Sequence, residues 1–209
     1  MYKRQIYDFA NYAFNKAHAV SYAVVAYQTA WFKCHYTREY MAALLTSVLD
    51  NSDKVAGYIS ECRDCGIALL PPDINRGVAD FSVDEGCIRY GLMAIKGVGR
   101  PVIDVIVKDR EEFGPFKNLE DFITRISMKD TMNKRVIESF IKAGALDCLG
   151  GTRKQFMSIY IRIVEHVSQE KKYAMTGQMT LFDLVEDDQK SEFEIKLPDV
   201  GEYAKETSL

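Results

Sequence analysis

The sequence predicts a mainly α-helical fold: two helical subdomains, an extended linker with a small β-hairpin between them, and a flexible C-terminal tail. Three observations predict it. Apolar residues recur at helical spacing across residues 19–65 and again across residues 92–167. Pro71-Pro72 and the turn Asp84-Glu85-Gly86 interrupt that spacing. After about Glu170 the apolar anchors thin out. The expected organisation is residues 1–66, a connector at 67–90, a second helical region at 91–170 and a tail at 171–209.

Each element follows from local chemistry. Val20, Ala23, Val24, Tyr27 and Trp31 lie at helical spacing and predict an amphipathic helix from about Ala19 to Cys34. Thr37 is placed to cap a second helix carrying Tyr40, Met41, Leu44, Leu45 and Val48. A third runs from Ser52 to Cys65, with Val55, Tyr58, Ile59 and Cys62 on one face and Gly66 as its stop. Phe81-Ser82-Val83 and Cys87-Ile88-Arg89-Tyr90 flank a turn and read as the hairpin. Leu92–Ile95 is a helical turn that Gly97-Val98-Gly99 breaks, and Pro101 suits the first turn of the next helix. Asn118 with Asp121 marks a capped start for Leu119–Ile126. Asn133–Ala143 is a helix stopped by Gly144, and the breaks at Gly97 and Gly144 read as related hairpins. Thr152-x-x-Gln155 has the form of a capping box, opening a helix with Phe156, Ile159, Ile163 and Val167 inward.

Composition narrows the function classes. A chain of 209 residues that is 47% hydrophobic and 27% charged is globular, not disordered. Its longest apolar runs, such as Ala23–Ala26, are too short for a membrane span. The N-terminal Met-Tyr-Lys-Arg-Gln-Ile-Tyr-Asp lacks an apolar signal core. Five scattered cysteines then read as reduced thiols, and the expected location is cytoplasmic. The net charge of −3 argues against a uniformly basic nucleic-acid binder. The charge is uneven, however: Asp183–Glu206 holds nine acidic and three basic residues, which leaves residues 1–182 at +3.

The most specific pattern is Leu92-x-x-Ile95-Lys96-Gly97-Val98-Gly99, followed by Val102 and Val105. Apolar residues on both sides of the turn can pack two short helices together. The glycines permit a tight turn and leave backbone N–H groups bare at the second helix's N-terminus, which is an anion site. Lys96 and Arg100 add charge. This is the helix-hairpin-helix pattern of sequence-independent DNA backbone binding, with Lys96, Gly97, Val98, Gly99 and Arg100 as its candidate contacts. An ordinary glycine turn between helices shares much of it.

Tyr12, Phe14, Asn15, Lys16 and His18 gather aromatics, an amide, a cation and an imidazole ahead of the first helix. Such a cluster can hold a phosphate or a nucleotide, or it can be a polar loop whose Asn15 or His18 caps the helix. Cys62-x-x-Cys65 has no second Cys/His pair at zinc spacing, and Cys62 falls on an apolar helix face, so it reads as a small buried hydrophobe. No Asp-x-Asp, nucleophile elbow or Walker loop occurs. Gln178-Met179-Thr180-Leu181-Phe182 stands out in polar chain and suits an extended peptide that docks into an apolar pocket on a partner; a segment folded back on its own core is the other reading.

Taken together these pieces resemble one family, the α subunits of bacterial DNA polymerase III, the C-family replicative polymerases. Phe14–Ala19, Tyr22-Ala23 and Ala26–Trp31 are similar to its fingers segment, and Lys33-x-His35-Tyr36 with Glu39–Leu45 continues the likeness. Leu70–Asn75 is similar to its connector, and Tyr90–Gly99 to its helix-hairpin-helix. Gly114–Phe116, Asn133–Arg135 and Ile141–Ala145 extend the likeness, and Gln178–Phe182 resembles its internal sliding-clamp motif. Ala17 stands where the family usually has Ser, and Thr37 where Pro is usual.

The resemblance implies an excised piece, distal fingers plus the helix-hairpin-helix and clamp-binding region, with palm and thumb upstream and an OB-fold downstream. It implies that Tyr12, Asn15, Lys16 and His18 line the incoming deoxynucleoside triphosphate and that Gln178–Phe182 binds the sliding clamp. Duplex primer-template DNA and other holoenzyme subunits are the further partners implied. No cofactor is expected in this piece; Mg2+ belongs to palm aspartates that it lacks, so the piece alone should not polymerise. A stand-alone, non-catalytic DNA-binding or scaffold module is the alternative.

Overall fold

The structure, a computed structural model, describes residues 16–127, 133–176 and 197–198. Helices α1 (Lys16–His35), α2 (Thr37–Ser47) and α3 (Ser52–Asp64) come first. Strands β1 (Leu69–Leu70), β2 (Ser82–Asp84) and β3 (Cys87–Arg89) follow. After a 3-10 turn at Leu92–Ala94 come α4 (Arg100–Phe113), α5 (Leu119–Ser127) and α6 (Lys134–Ala143). A second 3-10 turn at Asp147–Leu149 precedes α7 (Arg153–Thr176), which continues helical past Glu170.

The first core lies between α2, α3 and the sheet. Met41 and Leu45 meet Cys62, Ile67, Phe81 and Ile88 there. Asn51 caps α3 by accepting from Lys54 N at 3.0 Å. At the other end of α3, Ile67 N donates to Cys62 O and Gly66 N to Arg63 O, a Schellman stop that requires the left-handed φ of +71° found at Gly66. The sheet order is β1-β3-β2, with β2 and β3 antiparallel around Glu85 (φ +51°) and Gly86 (φ +80°). Two successive positive φ values make the primed turn whose twist matches a hairpin. β1, parallel to β3, is an addition to the expected hairpin. Two residues ahead of Pro71-Pro72 are too few to show strand alternation.

Two expectations fail in this part. Thr37 does not cap α2. The cap position is Tyr36, without a side-chain bond, and Thr37 Oγ1 donates instead to Lys33 O at 2.8 Å, closing the end of α1. Nor does the apolar face of α1 reach a core. None of its residues is buried, and Tyr27 is 71% exposed. The helix is tied on through α2 and an ion pair from Lys33 to Glu61 on α3.

The second core gathers α4 to α7. Ile103 and Ile106, Phe122 and Ile126, Ile137 and Phe140, and Phe156 and Ile163 are almost wholly buried in it. Burying each such side chain stabilises by about 1.5–3 kcal/mol. Phe116, Phe122 and Phe140 meet edge to face at 5.1 and 6.2 Å, the geometry aromatic quadrupoles favour. The capping motifs at Asn118 and Thr152 form as their sequence predicts, and Asn133, expected as the first helical residue, is a cap instead. Asp121 N donates to Asn118 Oδ1 (2.8 Å), and Val136 N to Asn133 Oδ1 (3.0 Å). Thr152 N donates to Gln155 Oε1 (2.9 Å) while Gln155 N donates to Thr152 Oγ1 (3.3 Å).

Residues 67–90 contribute to both cores: Ile67, Phe81 and Ile88 to the first, Ile74 and Ala79 to the second. Asn75 is the main fastening. Its amide donates to Phe116 O (2.9 Å) and accepts from Phe116 N (2.8 Å), satisfying both backbone polar groups of a buried residue. Ile74 N donates to Ala145 O at 2.8 Å, and Arg110 donates to Ile74 O at 3.0 Å. Burial lowers the Arg110 pKa from its ordinary value.

Cys148 lies beside this knot. Although the residue as a whole is exposed, partial burial of the thiol first, then the charge of Asp73, push it up to about 11. Its thiolate fraction at pH 8 is therefore roughly a hundredfold below that of an ordinary thiol, and because a more basic thiolate is the better nucleophile, alkylation slows by about tenfold. Mass spectrometry of the Cys148 peptide after timed alkylation should show a rate still climbing from pH 9 to 11. In urea the rate should revert to that of an unfolded thiol. A native rate that levels off near pH 9 would contradict the burial of this thiol beside Asp73.

Candidate nucleic-acid interface

The segment from Gly91 to Val102 is seated before it is exposed. Leu92 N donates to Val78 O (2.8 Å) and Met93 N to Ala79 O (3.0 Å), fixing the 3-10 turn on the connector. Leu92, Ile95, Val98 and Val102 point into the second core. Their i, i+3 and later spacing was legible in the sequence, and its purpose is to pin both arms of the turn. Between the pins, Lys96, Gly97, Gly99 and Arg100 are exposed.

Gly97 has φ +85°, a conformation that side chains with a Cβ rarely adopt. Gly99 is the N-cap of α4 with extended backbone and no side chain to cap with. Among the described residues, the N–H groups of Gly97, Gly99 and Arg100 make no hydrogen bond, and Pro101 has none to offer. These donors sit at the positive end of a 14-residue helix with no acid in its first turn. The arrangement can accept an anionic oxygen from solvent without moving the backbone. Val98 differs from its neighbours: it is buried, and its N–H already bonds Ile95 O at 3.2 Å. Its part is to seat the turn.

Two groups beside the turn had no sequence signature. Arg100 pairs with Asp80 at 2.8 Å, both partners about half exposed (53% and 44%). A pair so open to water is worth roughly 0–1 kcal/mol, so Arg100 can exchange Asp80 for another anion. Ser139 on α6 faces Gly97: a Cβ built there would lie 3.5 Å from its Oγ. Contacts across 20 and 42 residues of chain leave no local spacing to detect.

The break at Gly144 shares a positive φ, +79°, but not the open amides. Gly144 N and Ala145 N donate to Ile141 O and Phe140 O, and Arg153 covers the turn while holding Asp147 at 2.7 Å. It is a closed helix stop. Lys16 and His18 lie exposed on the first turn of α1, the His18 ring 4.4 Å from Tyr22. Tyr12 and Asn15, and the whole of Gln178–Phe182, lie outside the described residues. Cys62 is buried in the first core, with burial raising its thiol pKa, while Cys65 is exposed.

Residues 66–156 match the family model described as a helix-hairpin-helix motif. The match spans the connector, the open turn and the start of α7. The whole chain also matches longer proteins. It is 45% identical over 202 residues to the DNA polymerase III subunit alpha of Vibrio cholerae, covering 96% of this chain and 17% of that protein. By sequence, the chain matches a segment of the alpha subunits of DNA polymerase III. The same subunit of Mycobacterium leprae is 43% identical over 93% of the chain and 16% of its own length. That of Borreliella burgdorferi is 42% identical over 85% and 15%. The chain therefore spans about a sixth of the length of these alpha subunits. Among the described residues no helix is long and apolar enough to cross a membrane.

Proposed function

We propose that this chain supplies a replicative polymerase with a sequence-independent grip on duplex DNA, made by the backbone amides at Gly97, Gly99 and Arg100. The observation that carries the reading is those unpaired donors at the start of α4, held out on buried pins. Donors of this kind suit phosphodiester oxygens and carry no base-reading groups. Lys96 adds a cation from the exposed crest of the turn. The likeness to polymerase alpha subunits makes primer-template DNA the natural ligand.

The test is titration of a labelled duplex at several salt concentrations. Gly99→Val should keep the fold, because a Cβ there meets only Pro101 Cδ, at 3.6 Å. It should still weaken binding at least about tenfold by keeping phosphate away from the amides. Lys96→Ala should reduce the slope of log K against log salt by about 0.9, the share of one phosphate contact. A folded Gly99→Val variant that binds like the wild type would overturn the reading.

The other roles belong to the same proposal at the level of the whole subunit. Lys16 and His18, with Tyr12 and Asn15, would face the triphosphate of an incoming nucleotide. Gln178–Phe182 would dock on the sliding clamp, Leu181 and Phe182 filling its pocket. Polymerisation itself would need the Mg2+-binding palm, outside this sequence. The observation behind the first role is a cation at the start of a helix with no acid in its first turn. Behind the second is an apolar pair set in polar chain.

A further inference from the structure

We propose that α6 completes the phosphate site: the Ser139 hydroxyl donates to the phosphate held at the Gly97 turn, and Arg135 takes a second phosphate on the same strand. The inference rests on the hairpin reading above and names two further residues that carry it. The Gly97 turn lies against α6, with Ser139 Oγ the heavy atom nearest to where a Cβ would project. That hydroxyl makes no hydrogen bond among the described residues. On α7, by contrast, Ser158 and Ser168 return theirs to the preceding turn at 2.7 and 2.6 Å. Ser139 is only partly buried, so its hydroxyl can turn toward solvent on the side where the amides are open.

Arg135 is four residues earlier on the same helix, hence on the same face and about 5–6 Å away between Cβ atoms. It is exposed and makes no ion pair among the described residues. The neighbouring lysines are engaged: Lys134 with Glu165 at 2.9 Å, Lys142 with Glu138 at 2.6 Å. The face of α6 beside the turn thus offers one neutral donor next to the amides and one uncommitted cation a turn further on. A guanidinium suits a phosphate bidentately, and neither group is placed to read a base by itself. The ligand class is a phosphodiester strand that meets the α4 N-terminus first and α6 next.

The two residues predict different readouts, which a merely structural role would not produce. The experiment titrates the 209-residue chain against a duplex of about 20 base pairs at four salt concentrations. Ser139→Ala should raise Kd about five- to tenfold with an unchanged salt slope, because it removes a hydrogen bond but no counterion release. Arg135→Ala should raise Kd and flatten the slope by about 0.9, and Arg135→Lys should restore the slope. Arg135 is exposed and Ser139 only partly buried, and thermal melting of each variant checks that the fold is intact. If either alanine variant keeps both the wild-type Kd and the wild-type slope while Gly99→Val has lost binding, the α6 assignment is overturned and the hairpin reading stands. If Gly99→Val binds normally, both fall.

Discussion

Asp109→Ala is expected to destabilise the chain by about 3 kcal/mol, the low end of the cost of breaking a buried ion pair, because Arg125 keeps Asp121 as a second partner. Asp109 on α4 is 2% exposed and holds Arg125 of α5, whose Nε donates to Asp109 Oδ2 at 2.7 Å. The same guanidinium donates to Asp109 O (3.1 Å) and Gly114 O (2.9 Å), and it lies 4.2 Å from the Phe116 ring centroid. Arg125 therefore joins two helices and the turn between them through one planar group. Without Asp109 the guanidinium keeps only a longer contact to Asp121, at 3.3 Å, and its short Nε bond is lost beside the aromatic rings. Urea unfolding followed by circular dichroism measures the loss. Arg125→Lys should recover little, since a point charge cannot make the fork of bonds. A loss below about 1 kcal/mol would mean that water reaches Arg125 and that the pair is a surface one.

Gly91→Ala comes second, at about 3 kcal/mol, through crowding alone. The φ at Gly91 is −66°, which any residue accepts. The space is what forbids a side chain. A Cβ there would lie 2.5 Å from Ala79 O, 2.6 Å from Asp80 C and 2.8 Å from Phe81 N. All three are backbone atoms that cannot rotate away. To move them, the chain must break the bonds from Leu92 N to Val78 O and from Met93 N to Ala79 O. Those bonds seat the Gly97 turn, so under the proposed reading the variant should lose melting temperature and duplex affinity together. For a chain of this size the drop in Tm should be roughly 6–12 °C. Gly57 is the matched control. It lies within α3 with nothing inside 4 Å of its Cβ position, so alanine there should leave Tm unchanged or raise it. Equal melting of the two variants would show that the connector yields.

The parts of this molecule that were legible in its sequence are those set by neighbours within one or two turns. Asn118 with Asp121 and Thr152 with Gln155 announced helix starts because capping is a local bond. The apolar pins on either side of Gly97 were legible for the same reason. Periodicity on α1 correctly gave a helix, but it marks a face without saying what covers it, and that face stays bare here. Thr37 looked like a cap because its own helix was considered alone; the preceding carbonyl of Lys33 proved the better partner. Asn75 on Phe116, Asp109 on Arg125, Asp80 on Arg100 and Ser139 beside Gly97 all join distant stretches. Such pairs have no fixed spacing, so only the fold brings them to view.

The donors at the Gly97 turn are peptide groups, and this bears on how a duplex would travel past them. An amide has no rotamers to reset and no charge to titrate, so the grip keeps one strength across physiological pH. Under the proposed reading, each helical step, a rise of about 3.4 Å along the duplex axis with its rotation, brings an equivalent phosphate to the same rigid donors. The energy profile along the duplex then has shallow, evenly spaced wells, with no deep minimum at any base composition. A contact of that kind resists lift-off far more than sliding, and its friction is set by the exchange of one phosphate for the next.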